Sequence, residues 1–436
     1  MEEITGNMSV SRIVATTGTV QLVSQGGILD GAKTVFTKIF GNGISLVASV
    51  GAIGETSNDL EIDLQGTSRL TATAATNVFV TEKLGALRIT NVTGTNGAVR
   101  LTVAETSEYG NDLTLESGNS IIAKTTAAIL AGDDINLMSG STITAGSVSL
   151  MGDKPTMDPL GTTITINGAI NTTSTVAIVA NSQGAKLVSA MDASYVLTTK
   201  QLIRTPVGSA ARTFSLAGFM EASLTGGAGD NTFDIGAWTG TTLKATIDGG
   251  AGMDTVEATT DTDFTAANAL LKRVGSGDAT LLNIENGVFR GGKKANKFNM
   301  SDWTLSGRVD AGPQNAKIID TIISNVAGST SLTNDLLSRA GCADLALLGL
   351  KTAELTGSSG DDVFDVSGWI GTGKSGISVP PKQPPGPEVT RSRPMSPAFR
   401  PPTMPSPQLA THSLFENRHL WFLVLTRTGS LKTALF

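Results

Sequence analysis

The stretch Gly249-Gly250-Ala251-Gly252-Met253-Asp254-Thr255-Val256-Glu257 sets three glycines and a carboxylate just ahead of an apolar residue. Glycine lets the backbone turn tightly and leaves carbonyl oxygens accessible, while aspartate supplies a hard anionic oxygen. Together they suit an oxygen-ligated divalent cation, with Ca2+ the expected metal. Two other stretches share the pattern with one change each. Residues 226–234 carry Asn231 at the aspartate position, and residues 357–365 carry Ser358 in place of the second glycine and keep Asp362. The candidate ligands are Asp230, Asp254, Asp361 and Asp362 through their carboxylates and Asn231 through its amide oxygen. The same residues also suit plain tight turns between strands. The isolation of the motifs favours turns, and the middle copy, Gly291-Gly292, is followed by Lys293 and Lys294, which repel a cation.

Little else in the chain has the composition of a reactive site. Its two histidines, His412 and His419, both lie beyond residue 373, which excludes Ser-His-Asp, Cys-His and His-ligated zinc sites before that point. Cys342 is the single cysteine, so no internal disulfide forms, and it is expected to be a small buried residue. Asp59, Glu61 and Asp63 alternate along one predicted strand and share a face, where a row of like charge reads as solvated. A carbohydrate-active site needs carboxylates converging from adjacent strands, so the expectation is that the chain is not an enzyme. Trp238, Trp303 and Trp369 recur at one repeat position and are expected as core anchors rather than sugar platforms. Arg204, Arg273 and Arg339 recur similarly, and each is expected to pair with an acidic neighbour.

The elements that must carry these residues are short strands. Gly is 50 of 436 residues and aromatics are only 5%, which suits thin stacked layers better than one thick core. Before residue 185, short alternating runs follow one another, such as Gly43-Ile44-Ser45-Leu46-Val47-Ala48 and Ser147-Val148-Ser149-Leu150-Met151. Alternation turns one side chain of each pair inward and the next outward. The fold class expected is all-β, a parallel right-handed β-helix or β-solenoid. Beyond residue 185, Phe233, Phe298 and Phe364 mark a repeat of 65 to 66 residues. Each copy has a Leu-rich lead-in, and residues 265–274 and 333–340 are expected as short helical insertions, each with Thr or Asn near its start and Gly275 or Gly341 after its end.

The alternating runs resemble the Gly-x-Ile-x-Leu-x-Ala segments of filamentous-haemagglutinin-type adhesins. Residues 249–257 are similar to the nonapeptide Gly-Gly-x-Gly-x-Asp-x-apolar-x of repeats-in-toxin proteins. The first resemblance implies right-handed β-helix coils and cell-surface adhesion, and the second implies calcium held between successive turns. Three regions follow: adhesin-like coils over 1–185, three copies of the Gly/Asp-rich repeat over 186–373, and a Pro-rich tail over 374–436. A carbohydrate-active β-helix enzyme stands as the remote alternative.

The tail holds eleven of the fifteen prolines and is basic, whereas the net charge of the whole chain is −6. An acidic body argues against nucleic acid as a partner and suits an extracellular surface facing a polymer or glycan. Codons for residues 385–392 read from the third base permit a copy of the 250–256 motif, so the tail is expected to be out of frame. Met1-Glu2-Glu3-Ile4 has neither the basic start nor the apolar run of a signal peptide, and the longest apolar run, over 420–425, is too short to span a bilayer. The expectation is a segment of a longer secreted or surface-displayed bacterial protein.

Overall fold

A computed structural model describes residues 1–371 apart from 34, 107–109, 154–160, 183, 314–316 and 326, together with the backbone of 376–378. The rest of the Pro-rich tail lies outside the described residues. The described chain is all-β, and its strands, apart from the separate pair Met8–Val10 and Ile28–Asp30, collect into two long, mostly parallel sheets between which the chain passes back and forth. In the first sheet, Val20–Ser24 pairs with Ile44–Ala48, which pairs with Leu70–Ala74, and so on along the chain. In the second, Val78–Glu82 pairs with Val99–Val103, then with Thr126–Leu130 and Ser147–Gly152.

Parallel pairing brings equivalent inward residues directly over one another, with a bulge between Ile89 and Val92 taken up beside the column. One column in the first sheet runs Leu22, Leu46, Ala72, Val92, Ile121, Ile143 and Ile170. A facing column in the second sheet runs Leu60, Val80, Leu101, Ile129, Leu150 and Ile178. All thirteen are at most 3% exposed. Burying each Ile, Leu or Val stabilises by about 1.5–3 kcal/mol, and a slip of one residue would expel a whole strand's inward set. In the first sheet the residues between them, largely Thr, Ser and Asn, face outward, so the hydrophobic alternation fixes the register there.

The expected helices at 265–274 and 333–340 are not there. Phe264–Ala267, Leu270–Arg273 and Ala279–Leu282 form an antiparallel meander inserted into the first sheet. Ser329–Thr333, Leu336–Arg339 and Leu345–Leu348 do the same in the second, as do Ala193–Leu197, Gln201–Pro206 and Arg212–Ala217 earlier. The supposed helix stops are hairpin turns, with Gly275 at φ +82° and Gly341 at φ +73°. The residue spacing also fits a strand: Leu271 and Arg273 are buried while Lys272 between them is exposed.

The meanders alternate between sheets for a reason visible in the repeat. Thr232–Asp234 lies in the second sheet, its counterpart Lys297–Asp302 in the first, and the next counterpart Val363–Gly368 in the second again. A repeat of 65 to 66 residues therefore makes an odd number of crossings. Each meander adds two strands to one sheet only, and the following one adds two to the other. The insertions at 193–217 and 264–282 thus offset each other, and the one at 329–348 falls in the second sheet again.

The middle strand of each meander sends one arginine inward. Arg273 donates to the carbonyls of Ile235 (2.6 Å) and Trp238 (3.2 Å), and Arg339 to those of Met300 and Trp303 (both 2.5 Å). Arg204 donates to Ile166, to Gly168 (3.0 Å) and to the Ser189 hydroxyl (3.2 Å). All three are at most 3% exposed. The expected salt bridges are thus replaced by bonds to backbone carbonyls in the opposite sheet's corners, because each arginine points into the core, where those corners turn. Burial pulls all three guanidinium groups below their usual range. Trp238 and Trp303 end the corners held by Arg273 and Arg339, and all three tryptophans are core anchors at most 1% exposed, with the indoles of Trp238 and Trp303 donating to Lys244 O (3.2 Å) and Ser306 O (3.1 Å).

Replacing Arg273 by methionine strands those two buried carbonyls and is expected to cost about 3 kcal/mol. Replacing Arg88, whose one ion pair among the described residues is a partly exposed 3.8 Å contact with Glu116, should cost less than about 0.5 kcal/mol. Urea denaturation of the two variants checks this, and equal losses would contradict the clamp.

Candidate functional site: the Gly-Asp turns and an N-terminal groove

The turn over 226–231 leads from Phe219–Thr225 to Thr232–Asp234, and the turn over 249–254 leads from Lys244–Asp248 to Thr255–Thr259. They stack, with Ala251 N donating to Gly227 O (2.8 Å) and Thr255 N to Asn231 O (2.9 Å). Within each turn the first glycine makes room for the side chain five residues on. A Cβ on Gly226 would lie 2.3 Å from Asn231 Oδ1, one on Gly249 2.6 Å from Asp254 Oδ2, and one on Gly357 2.5 Å from Asp362 Oδ2. Gly291 and Asn296 repeat the relation at 2.5 Å. The motif's glycine and its acid or amide are therefore two halves of one packing contact.

The folded-back oxygens accept backbone N–H groups. Asn231 Oδ1 accepts from Gly227 N (2.8 Å), Asn296 Oδ1 from Gly292 N (2.9 Å) and Asp362 Oδ2 from Ser358 N (2.6 Å). A second set of bonds ties each turn to its neighbours. Asn231 N donates to Asp254 Oδ1 (2.7 Å), Asp254 N to Glu285 Oε2 (2.8 Å), and Asn231 Nδ2 to Asp192 Oδ1 (3.1 Å). The next repeat copies the first of these, with Asn296 N on Asp320 Oδ1 (2.7 Å). Asp192, Glu285 and Asp320 were not singled out by motif. Their signal is a register offset, since each stands one or two strands away from the turn it serves.

Of the predicted ligands, the structure brings Asn231 and Asp254 together with Asp230 nearby, and leaves Asp361 and Asp362 apart from them. Asp230 is exposed and accepts from Met253 N (2.8 Å), while Asp361 and Asp362 sit in the third repeat. Among the described residues no group of three His, Cys, Asp or Glu side chains converges as a metal centre requires. Asp254 is the exception worth following. It is fully buried, its Oδ2 has no hydrogen-bond partner, and Gly250 N, turned by a φ of +94°, donates to Asp248 (3.2 Å) instead. Burial raises its pKa, and the nearby Glu285, Asp230 and Asp192 charges push the same way.

The strand Leu60–Leu64 corrects a second expectation. Its acidic row is not a solvated face: Glu61 and Asp63 are 7% and 5% exposed. Lys38, itself 1% exposed, lies 3.6 Å from both Glu61 and Asp30 and donates to Phe36 O (2.5 Å). Asp59 holds Arg100 and accepts from the Thr81 hydroxyl (2.8 Å), and Asp63 accepts from Gln65 (2.5 Å). Burial raises the pKa values of Glu61, despite Lys38, and of Asp63. Burial works against ionised Asp30 too, but there the Asn58 amide, Ala32 N–H and Lys38 outweigh it and lower the pKa. Alternation predicted that these carboxylates face outward. It did not predict that Lys38 would be buried beside them, 3.6 Å from Glu61.

Beside this cluster a groove of about 720 Å³ is lined by Arg12, Val14, Phe36, Lys38, Phe40 and Asp63 among others. A smaller cleft of about 400 Å³ on the first sheet runs along Lys186, Glu221, Lys244 and Asp278, with Lys244 and Glu221 paired at 3.6 Å. Cys342 is half-buried rather than buried, because its turn closes the third meander at the surface.

Glu82 shows how far burial governs these acids. It is fully buried, accepts from Leu64 N (3.1 and 3.2 Å) and Leu84 N (3.4 Å), and burial raises its pKa well above the usual value. A carboxyl with a raised folded pKa is protonated more readily in the native state, so its contribution weakens as pH rises from the unfolded value toward the folded one. Glu82→Gln is expected to flatten the fall in stability above pH ~4.3 and to be neutral or stabilising at pH 7. Thermal melts across that range test it, and a steeper fall in the variant would contradict it. No family model, curated protein or solved structure matches the chain.

Proposed function

We propose that the chain is a non-enzymatic structural and adhesive segment of a large exported bacterial surface protein, built as a right-handed β-solenoid. The observation carrying this reading is the unbroken aliphatic column from Leu22 to Ile170, paired strand on strand. Such a stack grows by adding strands at its ends, which suits a stalk. Parallel strands joined by crossovers take the right hand in nearly all proteins. The turn carboxylates support it further, since most accept backbone N–H groups and serve the turns. The likeness to haemagglutinin-type adhesins agrees with the alternating runs, and a glycan or matrix polymer is the partner such a surface would meet.

Beads coated with the full chain test the reading on surfaces of acidic polysaccharide, neutral polysaccharide and denatured collagen. Retention on at least one surface with no soluble fragments released is expected. Release of sugar fragments, or retention on none, would overturn it.

The second reading, a calcium-responsive module, rests on the unpartnered Asp254 Oδ2. Adding millimolar calcium to the EGTA-treated chain separates the two. The structural reading expects an unchanged far-UV circular dichroism spectrum and an unchanged melting midpoint. The calcium reading expects a rise in both β signal and midpoint, lost in Asp254→Ala.

A further inference from the structure

The N-terminal groove is not explained by the packing of the strands around it. Its floor is a column of outward side chains in register across three strands: Val14 lies beside Phe40, and Phe40 beside Asp63. Adjacent strands stand about 4.8 Å apart, close to the length of one sugar unit in an extended chain. Phe36 forms part of the wall and is 75% exposed, so its ring is open to a ligand in the groove. It is held in place, because the buried Lys38 donates to its carbonyl and is itself fixed between Asp30 and Glu61.

The charges in the groove are unequal in kind. Lys38 is matched by Asp30 and Glu61. Arg12 is exposed and takes part in none of the ion pairs among the described residues. Asp63 is 5% exposed and lines the groove, with Gln65 on its Oδ1. The cavity is thus an aromatic and aliphatic slot with one free guanidinium at its rim and a buried carboxyl at its base. Aromatic surface takes the apolar face of a pyranose, a guanidinium takes a carboxylate in a bidentate fork, and the Asp63 carboxyl hydrogen-bonds hydroxyls.

We propose that this groove binds an acidic saccharide, with its ring faces on Phe36 and Phe40 and its carboxylate on Arg12. The inference deepens the adhesive reading and rests on it, by naming one place where the chain holds its polymer and the chemical class of that polymer.

Isothermal titration calorimetry on the full chain, with trigalacturonate as the acidic probe and maltotriose as the neutral one, tests the assignment. Trigalacturonate is expected to bind, and maltotriose to bind at least tenfold more weakly. Arg12→Gln and Phe36→Ala are each expected to weaken trigalacturonate at least tenfold with unchanged melting midpoints, since both side chains are exposed. Absence of heat with trigalacturonate, equal binding of maltotriose, or indifference to both substitutions would overturn it. Blank calorimetry with beads still retained on the coated surfaces would sink the groove alone. Blanks in both experiments would sink the adhesive reading as well.

Discussion

Every strand in this protein depends on the backbone of the strand above and the strand below. A peptide group left facing the dry interior without a partner costs as much as a lost hydrogen bond or more, so the two sheets must stay in step. Most of the sequence answers that demand simply, by repeating short alternating strands whose inward Leu, Ile, Val and Ala stack in columns. The Gly/Asp-rich repeats answer it under strain, because each carries a meander that adds two strands to one side only. Setting the repeat at an odd number of crossings moves the next meander to the other side. The buried Arg273 and Arg339 then reach across the core to the carbonyls of the tryptophan corners.

The Gly-Asp turns follow the same logic. In a metal loop, the glycines and acids would converge their oxygens on one point. Here, in three of the four turns, the acid or amide folds into the space its own glycine vacates and accepts an N–H from its own turn. Asp254 departs from that pattern because Gly250 directs its N–H elsewhere. The direction of one backbone N–H, rather than the choice of Asp or Asn, separates the satisfied Asp362 and Asn231 from Asp254 with its open oxygen.

Much of the strand architecture was legible in the sequence. Period-two alternation at Ile44, Leu46 and Ala48, or at Val148 and Leu150, specifies a buried face directly, and a repeat marked by Phe233, Phe298 and Phe364 is a matter of counting. The meanders were not legible, because Leu270-Leu271-Lys272-Arg273 followed by Val274 and Gly275 satisfies both a short helix with a glycine stop and a strand with a hairpin turn. Only the parallel neighbours, Lys244–Asp248 and Lys297–Asp302, decide between them. The groove was hidden for a similar reason. Glu61 and Asp63 announce an outward face, but nothing local to that strand says that Lys38 and Phe36, more than twenty residues earlier, will share one groove and ion cluster with it.

The central claim is that successive strands climb by a fixed step and keep their inward columns in line, even across the bulge between Ile89 and Val92. Spin labels at Val23 and Asn171, joined through Val47, Thr73, Thr93, Ile122 and Thr144, measure it by double electron–electron resonance. Six steps of about 4.8 Å give roughly 29 Å. A second pair at Thr73 and Asn171 spans four steps, or roughly 19 Å. Two narrow distributions differing by about 10 Å are the predicted result. Distances that are broad, or that do not differ by two steps, would contradict the stack.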